Sequence, residues 1–282
     1  MKNKIKILLI IYGLLICPAC SCVNCQAFEP NDGNLPEQKE IIKIIEKLNQ
    51  TANSLKNLSA QIEYTHAQPL FETRTVRAGR LSYVKDVNNS ALRINFLTIK
   101  QDDSAEQNYR EDYVFDGAKL VKIDYQSKSA TSEQLAKDNA IEPFELVQDY
   151  FPIIGLAKPD ELAQQFDIKL HPVRDNKSDT SDPNQLGQHQ RQAVSNGIQQ
   201  KPDKQNFTTL LLTPKENSRF FKTYKQVEIK IDSKNFLPYD FSALTCEDEK
   251  ITIKLSQIDI SAAVKRGVFD VVIPADFVQM QK

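Results

Sequence analysis

From Leu58 to the end of the chain the apolar residues recur mostly every second position, and no long helical pattern interrupts them. Ala60, Ile62 and Tyr64 alternate with Gln61, Glu63 and Thr65. Leu81 and Tyr83 flank Ser82, while Leu92, Ile94 and Phe96 alternate with Arg93 and Asn95. A two-residue period places one side of each segment on a core and the other in water. Tyr113-Val114-Phe115 runs into Asp116-Gly117, a strong hairpin signal, and Lys119 to Tyr125 follows. Short polar turns join these segments. The strands are therefore predicted to pair antiparallel with their sequence neighbours, in a mainly β fold with two or three helices.

Helical spacing appears in few places. Ile41, Ile42, Ile44, Ile45 and Leu48 make one amphipathic helix within Glu37 to Asn57. Glu142 to Leu156 is densely apolar, with Phe144, Leu146, Val147, Tyr150, Phe151, Ile153 and Ile154. A segment so apolar in mid-chain is expected inside the curve of a sheet. Asp160 to Gln165 is a short helix candidate, and Phe166 to His171 a strand. Residues 174–205 lose nearly all large apolar side chains and read as a disordered insertion. Strands resume at Phe207 to Leu212, Tyr224 to Ile231, Phe241 to Thr245 and Ile251 to Gln257. Phe269 to Ile273 is expected to finish the sheet before Pro274, for ten or eleven strands in all.

The start of the chain reads as a secretory leader. Lys2, Lys4 and Lys6 precede the apolar run Ile7 to Ile16, which is too short to span a bilayer. Cleavage is expected near Ala27, giving a signal peptide over 1–27, a flexible lead-in over 28–37 and one domain over 38–282. Cys17, Cys20, Cys22 and Cys25 have a spacing that suggests a metal site, but their place at the tail of a leader outweighs it. Ala19-Cys20 or Ser21-Cys22 forms a loose lipidation site, so an anchor at Cys20 or Cys22 is the alternative to a soluble product. Past the leader only Cys246 remains, so no internal disulfide is available. Removing three lysines and no acids takes the formal charge from −1 to −4, which disfavours nucleic acid as a partner.

No catalytic signature is found. His66, His171 and His189 sit in no recognisable motif, and neither G-x-S-x-G nor H-E-x-x-H occurs. Cys246 lies beside Glu247 and Asp248, the wrong setting for a reactive thiol. No enzyme, metal or cofactor is expected. The pattern alone favours an ordinary core whose helices fill the concavity of a sheet. A container whose helical plug moves aside for an acyl chain remains the alternative.

Several motifs, in order, are similar to one family. Leu58-Ser59-Ala60-Gln61-Ile62, Gly79-Arg80-Leu81-Ser82-Tyr83-Val84-Lys85 and Val114-Phe115-Asp116-Gly117-Ala118-Lys119-Leu120 resemble the first sheet of the bacterial LolA-type lipoprotein carriers. Glu142-Pro143-Phe144-Glu145-Leu146, Leu212-Thr213-Pro214-Lys215, Gln226 to Asp232, Leu237-Pro238 and Phe269 to Pro274 continue the match over roughly 38–277. The resemblance implies an unclosed antiparallel β-barrel, a half-barrel with helices covering its concave face. It implies a periplasmic, monomeric carrier that holds the acyl chains of lipoproteins in a hydrophobic cavity. An inner-membrane release complex would supply them and an outer-membrane acceptor would take them. A lipid-anchored LolB-like receptor, or an envelope lipid-sensing module of the same fold, is the runner-up. The expected acyl-chain lining is Ile62, Tyr64, Leu81, Tyr83, Ile94, Phe96, Tyr113 and Phe115, with Phe144, Leu146, Val147 and Phe151 as lid. This chain departs from the family in having no Trp, and in carrying Asp86 where the carriers place an Arg that holds the lid; Arg93 is the candidate substitute.

Overall fold

The two-residue period resolves into one long sheet. The computed structural model describes residues 35–86, 90–135, 142–148, 151–153, 156, 158–171 and 207–281. The leader (1–27) and the polar insertion (174–205) lie outside the described residues. The strands are β1 (Asn57–Gln68), β2 (Thr73–Val84), β3 (Ala91–Gln101), β4 (Gln107–Phe115), β5 (Lys119–Asp124), β6 (Ser129–Gln134), β7 (Phe166–His171), β8 (Phe207–Pro214), β9 (Tyr224–Asp232), β10 (Pro238–Thr245), β11 (Lys250–Asp259) and β12 (Val278–Gln281). Their order across the sheet is β12-β6-β5-β4-β3-β2-β1-β11-β10-β9-β8-β7. The order does not close on itself, so the sheet is an open half-barrel. All described pairs are antiparallel except β12 with β6.

Local chemistry explains the turns and the register. At the β4–β5 hairpin Gly117 takes a φ of 83°, and Asp116 Oδ1 accepts the amides of Ala118 and Lys119. Between β2 and β3 the pairing slips at Ala78/Gly79, opposite Phe96 and Thr98. A Cβ on Gly79 would overlap the carbonyl oxygen of Asn95 and crowd the Cα of Phe96. The glycine is thus what lets β3 approach and bulge. Gly79→Ala should cost about 2–3 kcal/mol, because backbone and not a flexible side chain must give way. A chemical denaturation midpoint unchanged from wild type would contradict this.

Helix α1 (Leu35–Ser54) buries the stripe Ile41, Ile44, Leu48 and Ala52, and leaves Ile42 exposed. Its first turn reaches the sheet edge, where Glu37 Oε1 accepts the Leu170 amide of β7 at 3.0 Å. Further along, Thr51 Oγ1 donates to the Asn235 carbonyl and the Lys47 ammonium sits 4.2 Å over the Phe236 ring. It therefore covers the concave face on the β7–β10 side. Short helices α2 (Pro143–Val147) and α3 (Leu162–Gln165), with Phe151, Ile153 and Leu156 between them, cover the rest.

Two sequence expectations change, and one strand was not foreseen. Ser129–Gln134 forms β6, although its only buried apolar residue is Ala130. Among the described residues the sheet has twelve strands, not ten or eleven. Phe269 to Ile273 does not finish the sheet. The chain there leaves a 3-10 turn (Arg266–Phe269) and runs over the outer face. Val271 and Ile273 pack with Phe277 against Val121, Ile123 and Ala130, a small second core. The alternation at 269–273 is real, but it serves that outer core and not a strand ladder.

Candidate functional site

The concave face is assembled by register. Leu58, Ala60 and Ile62 lie opposite Tyr83, Leu81 and Gly79. Leu81 and Tyr83 in turn lie opposite Ile94 and Leu92, which lie opposite Tyr113 and Phe115. All eight expected lining residues therefore share one surface and one core cluster. Leu81, Ile94, Phe96 and Phe115 are 0% exposed. The sequence-based list stopped too early, however. Leu92 and Leu120 belong to the same surface, and Leu210, Leu212, Val227, Ile229, Phe241 and Ile253 extend it across the second half of the sheet. Their own two-residue alternation was visible; what was missing was the pairing of β1 with β11 that joins the halves.

Phe144, Val147 and Phe151 fill the concavity over β1–β4; the side chain of Leu146 lies outside the described residues. The Phe151 ring centroid is 5.2 Å from Tyr113, 5.6 Å from Tyr64 and 6.2 Å from Phe96. The Phe144 ring lies 4.6 Å from Tyr83. Phe144, Val147 and Phe151 thus form a single packed core with the residues expected to line the concavity. Charged substitutions at Ile94 or Phe96 would unfold the protein before reporting on binding.

Polar contacts tie α2 and its flanks to the rest of the fold. Tyr83 Oη donates to Glu142 Oε1 at 2.8 Å, and Lys85 Nζ lies 3.6 Å from Glu142 Oε2. Burial, followed by the neighbouring Glu142 carboxylate, raises the Tyr83 phenol well above its ordinary value, so it remains a donor at neutral pH. Lys158 Nζ lies 2.9 Å from Glu145 Oε1, and Arg219 Nη2 donates to the buried Gln148 Oε1 at 2.8 Å. Arg93 does not stand in for the family's lid arginine. It projects from the opposite face, donating to Asp112 Oδ2 at 2.5 Å and to the Val268 carbonyl at 2.7 Å. Asp86 pairs with Arg266 at 3.2 Å.

Beyond Phe151 and Tyr113 lies a charged rim. Glu111, whose side chain is 2% exposed, receives Arg77 Nη1 at 2.5 Å, Lys122 Nζ at 2.8 Å and Tyr113 Oη at 3.0 Å. The Arg77 guanidinium lies over Tyr64 and Phe96 at 4.6 and 5.0 Å. Beside it an open cavity of about 370 Å³ exposes Tyr113, Leu120 and Lys122 along with polar groups of β5 and β6. No histidine was expected to act here: His66 Nε2 pairs with Glu249 at 2.8 Å, and His189 lies outside the described residues. Cys246 is exposed.

The sequence matches no family model and no curated protein. Solved structures of similar chain course include a LolA superfamily protein from Nitrosomonas europaea, at 12% identity and TM-score 0.32, covering 82% of this chain and 97% of that one. LprF from Mycobacterium bovis aligns at 9% identity and TM-score 0.39 over 86% of this chain and 99% of its own. The MucA/MucB complex of Pseudomonas aeruginosa aligns at 12% and 0.39, over 83% and 61%. The fold itself rests on the strand order: an unclosed, almost wholly antiparallel sheet with helices on its concave face, the architecture that the LolA-like motifs led one to expect.

Proposed function

We propose that the chain is an exported carrier that takes the acyl chains of lipoproteins into the concavity of its half-barrel and moves them from the inner to the outer membrane. One observation carries this reading. The concave face is continuous and apolar, and over β1–β4 it is covered by a segment that adds no strand to the sheet and is tethered by side-chain contacts. Each methylene withdrawn from water gains about 0.8 kcal/mol, so a chain of about 16 carbons gains roughly 12 kcal/mol. Uncovering three large apolar lid side chains costs roughly 5–9 kcal/mol. The guest therefore outbids the lid in water, and an acceptor with a better hollow recovers the cargo. The leader over 1–27 would deliver the protein to the periplasm, where it works as a monomer between a release complex and an acceptor. Anchoring at Cys20 or Cys22 would make it the LolB-like receptor or lipid-sensing module instead. The mass of the mature N-terminus decides: a free Phe28 marks the carrier, an acylated cysteine the anchored form.

Glu142→Gln tests the lid. The latch is partly exposed, so its loss is worth about 1 kcal/mol, or roughly a fivefold rise in the open population. Apparent affinity for a fluorescent long-chain fatty acid should rise by that factor, because binding is limited by the fraction of open protein. Unchanged or weaker binding, with only a fall in stability, would favour a plain structural core.

A further inference from the structure

The face of the sheet opposite the chamber carries a second cavity, of about 710 Å³, between β1–β4 and the outer strap that follows β11. Its outward side chains alternate with the chamber lining, so the same strands build both sites. Four cations line it: Arg80, Arg93, Arg110 and Lys265. Two carboxylates oppose them. Asp259 is engaged by its own turn, accepting the amide and hydroxyl of Ser261 at 2.8 Å each and the amide of Ala262 at 3.1 Å. Asp112, fully buried, takes Arg93 at 2.5 Å and lies 3.8 Å from Arg110. The local balance is +2.

Two of the three arginines are held in place before any ligand arrives. Arg93 is fixed between Asp112 and the Val268 carbonyl, and its buried Nε has no partner. The Arg110 guanidinium stacks 4.0 Å over Tyr125. Among the described residues no ion pair neutralises Arg80 or Lys265. One wall is apolar: Leu97, pushed out at the β3 bulge and 43% exposed, faces the cavity with Val264 and Val268 of the strap. Guanidinium forks match the oxygens of a phosphate, and a phosphomonoester carries close to two negative charges at neutral pH. The volume suits a small organic molecule.

We propose that this outer groove binds an organic phosphomonoester, its phosphate neutralised by Arg80, Arg110 and Lys265 and its apolar substituent laid along Leu97 and Val268. The site is separate from the acyl chamber and does not depend on the carrier reading. The phosphate could belong to a soluble ester or to a lipid headgroup at a membrane surface. Phenyl phosphate titrated into the purified protein by calorimetry, and sedimentation with vesicles containing phosphatidic acid, separate the two sources. The variant Arg80→Gln with Lys265→Gln removes two exposed cations that make no ion pair among the described residues, so its melting curve should match wild type. Saturable phenyl phosphate binding that weakens about tenfold in the variant supports a soluble ester. Vesicle binding lost in the variant, without binding of phenyl phosphate, places the phosphate on a lipid. Binding of neither probe, or binding equally strong in the variant, overturns the groove as a phosphate site.

Discussion

Replacing Glu111 by alanine should lower the unfolding free energy by about 3–5 kcal/mol, the cost of stripping one partner from a buried charge cluster. The carboxylate serves three donors at once, and its oxygens are nearly sealed from water. Without it Arg77 stays in place over Tyr64 and Phe96, its Nε already unpartnered, with no countercharge beside it. Burial alone would raise the Glu111 pKa, but the Lys122 hydrogen bond and the Arg77 charge outweigh it and hold the carboxyl below its ordinary 4.5. A carboxyl whose folded pKa is depressed stabilises the fold above its unfolded pKa. That contribution is lost as pH falls through the folded value. The gap in stability between wild type and Glu111→Ala should therefore be full at neutral pH and narrow below about pH 4.5. Urea denaturation at neutral and acid pH measures both quantities; a gap that stays constant into acid would assign the loss to packing rather than charge.

How far the chain could be read in advance follows the same physics. Strands with one buried face announce themselves: Ile62, Leu81, Ile94 and Tyr113 alternate with polar residues, and the register brings them together. Strand β6 did not, because at the thin margin of the sheet only Ala130 needs burial and polar residues suffice elsewhere. The outer strap was misread for a related reason. Val271 and Ile273 alternate as strand residues do, yet they pack on the back of β5, whose Leu120, Val121 and Ile123 are apolar on both faces. That two-sided pattern in β5 was the available signal for a second cover. Long-range choices left no local trace. Nothing near Arg93 says that it will bond Asp112 and Val268 on the outer face, and nothing near Tyr83 says that its partner is Glu142.

Phe151→Ala separates the two readings of the chamber. The ring is 3% exposed and edge-on to Tyr64 and Tyr113, so its removal should cost about 3–5 kcal/mol through lost contacts and the cavity left behind. Phe241→Ala, equally buried on the other half of the sheet, should cost about the same. If the interior is only a core, both variants gain at most a hole for a benzene-sized guest, as cavities of about 150 Å³ do. If the lid yields to acyl chains, the variants differ. Phe151 stands where the chain must pass, and its loss removes part of what the guest displaces, whereas Phe241 lies outside the lid. A long-chain fatty acid should then bind Phe151→Ala more tightly than wild type and restore about 2.7 kcal/mol of stability at a ligand concentration of roughly 100 times Kd. Phe241→Ala should show no such gain. Thermal melts of both variants with palmitate and with benzene read this directly. Rescue of Phe151→Ala by benzene but not by palmitate would mean that the concavity admits a small guest and no hydrocarbon tail, and the carrier reading would fall.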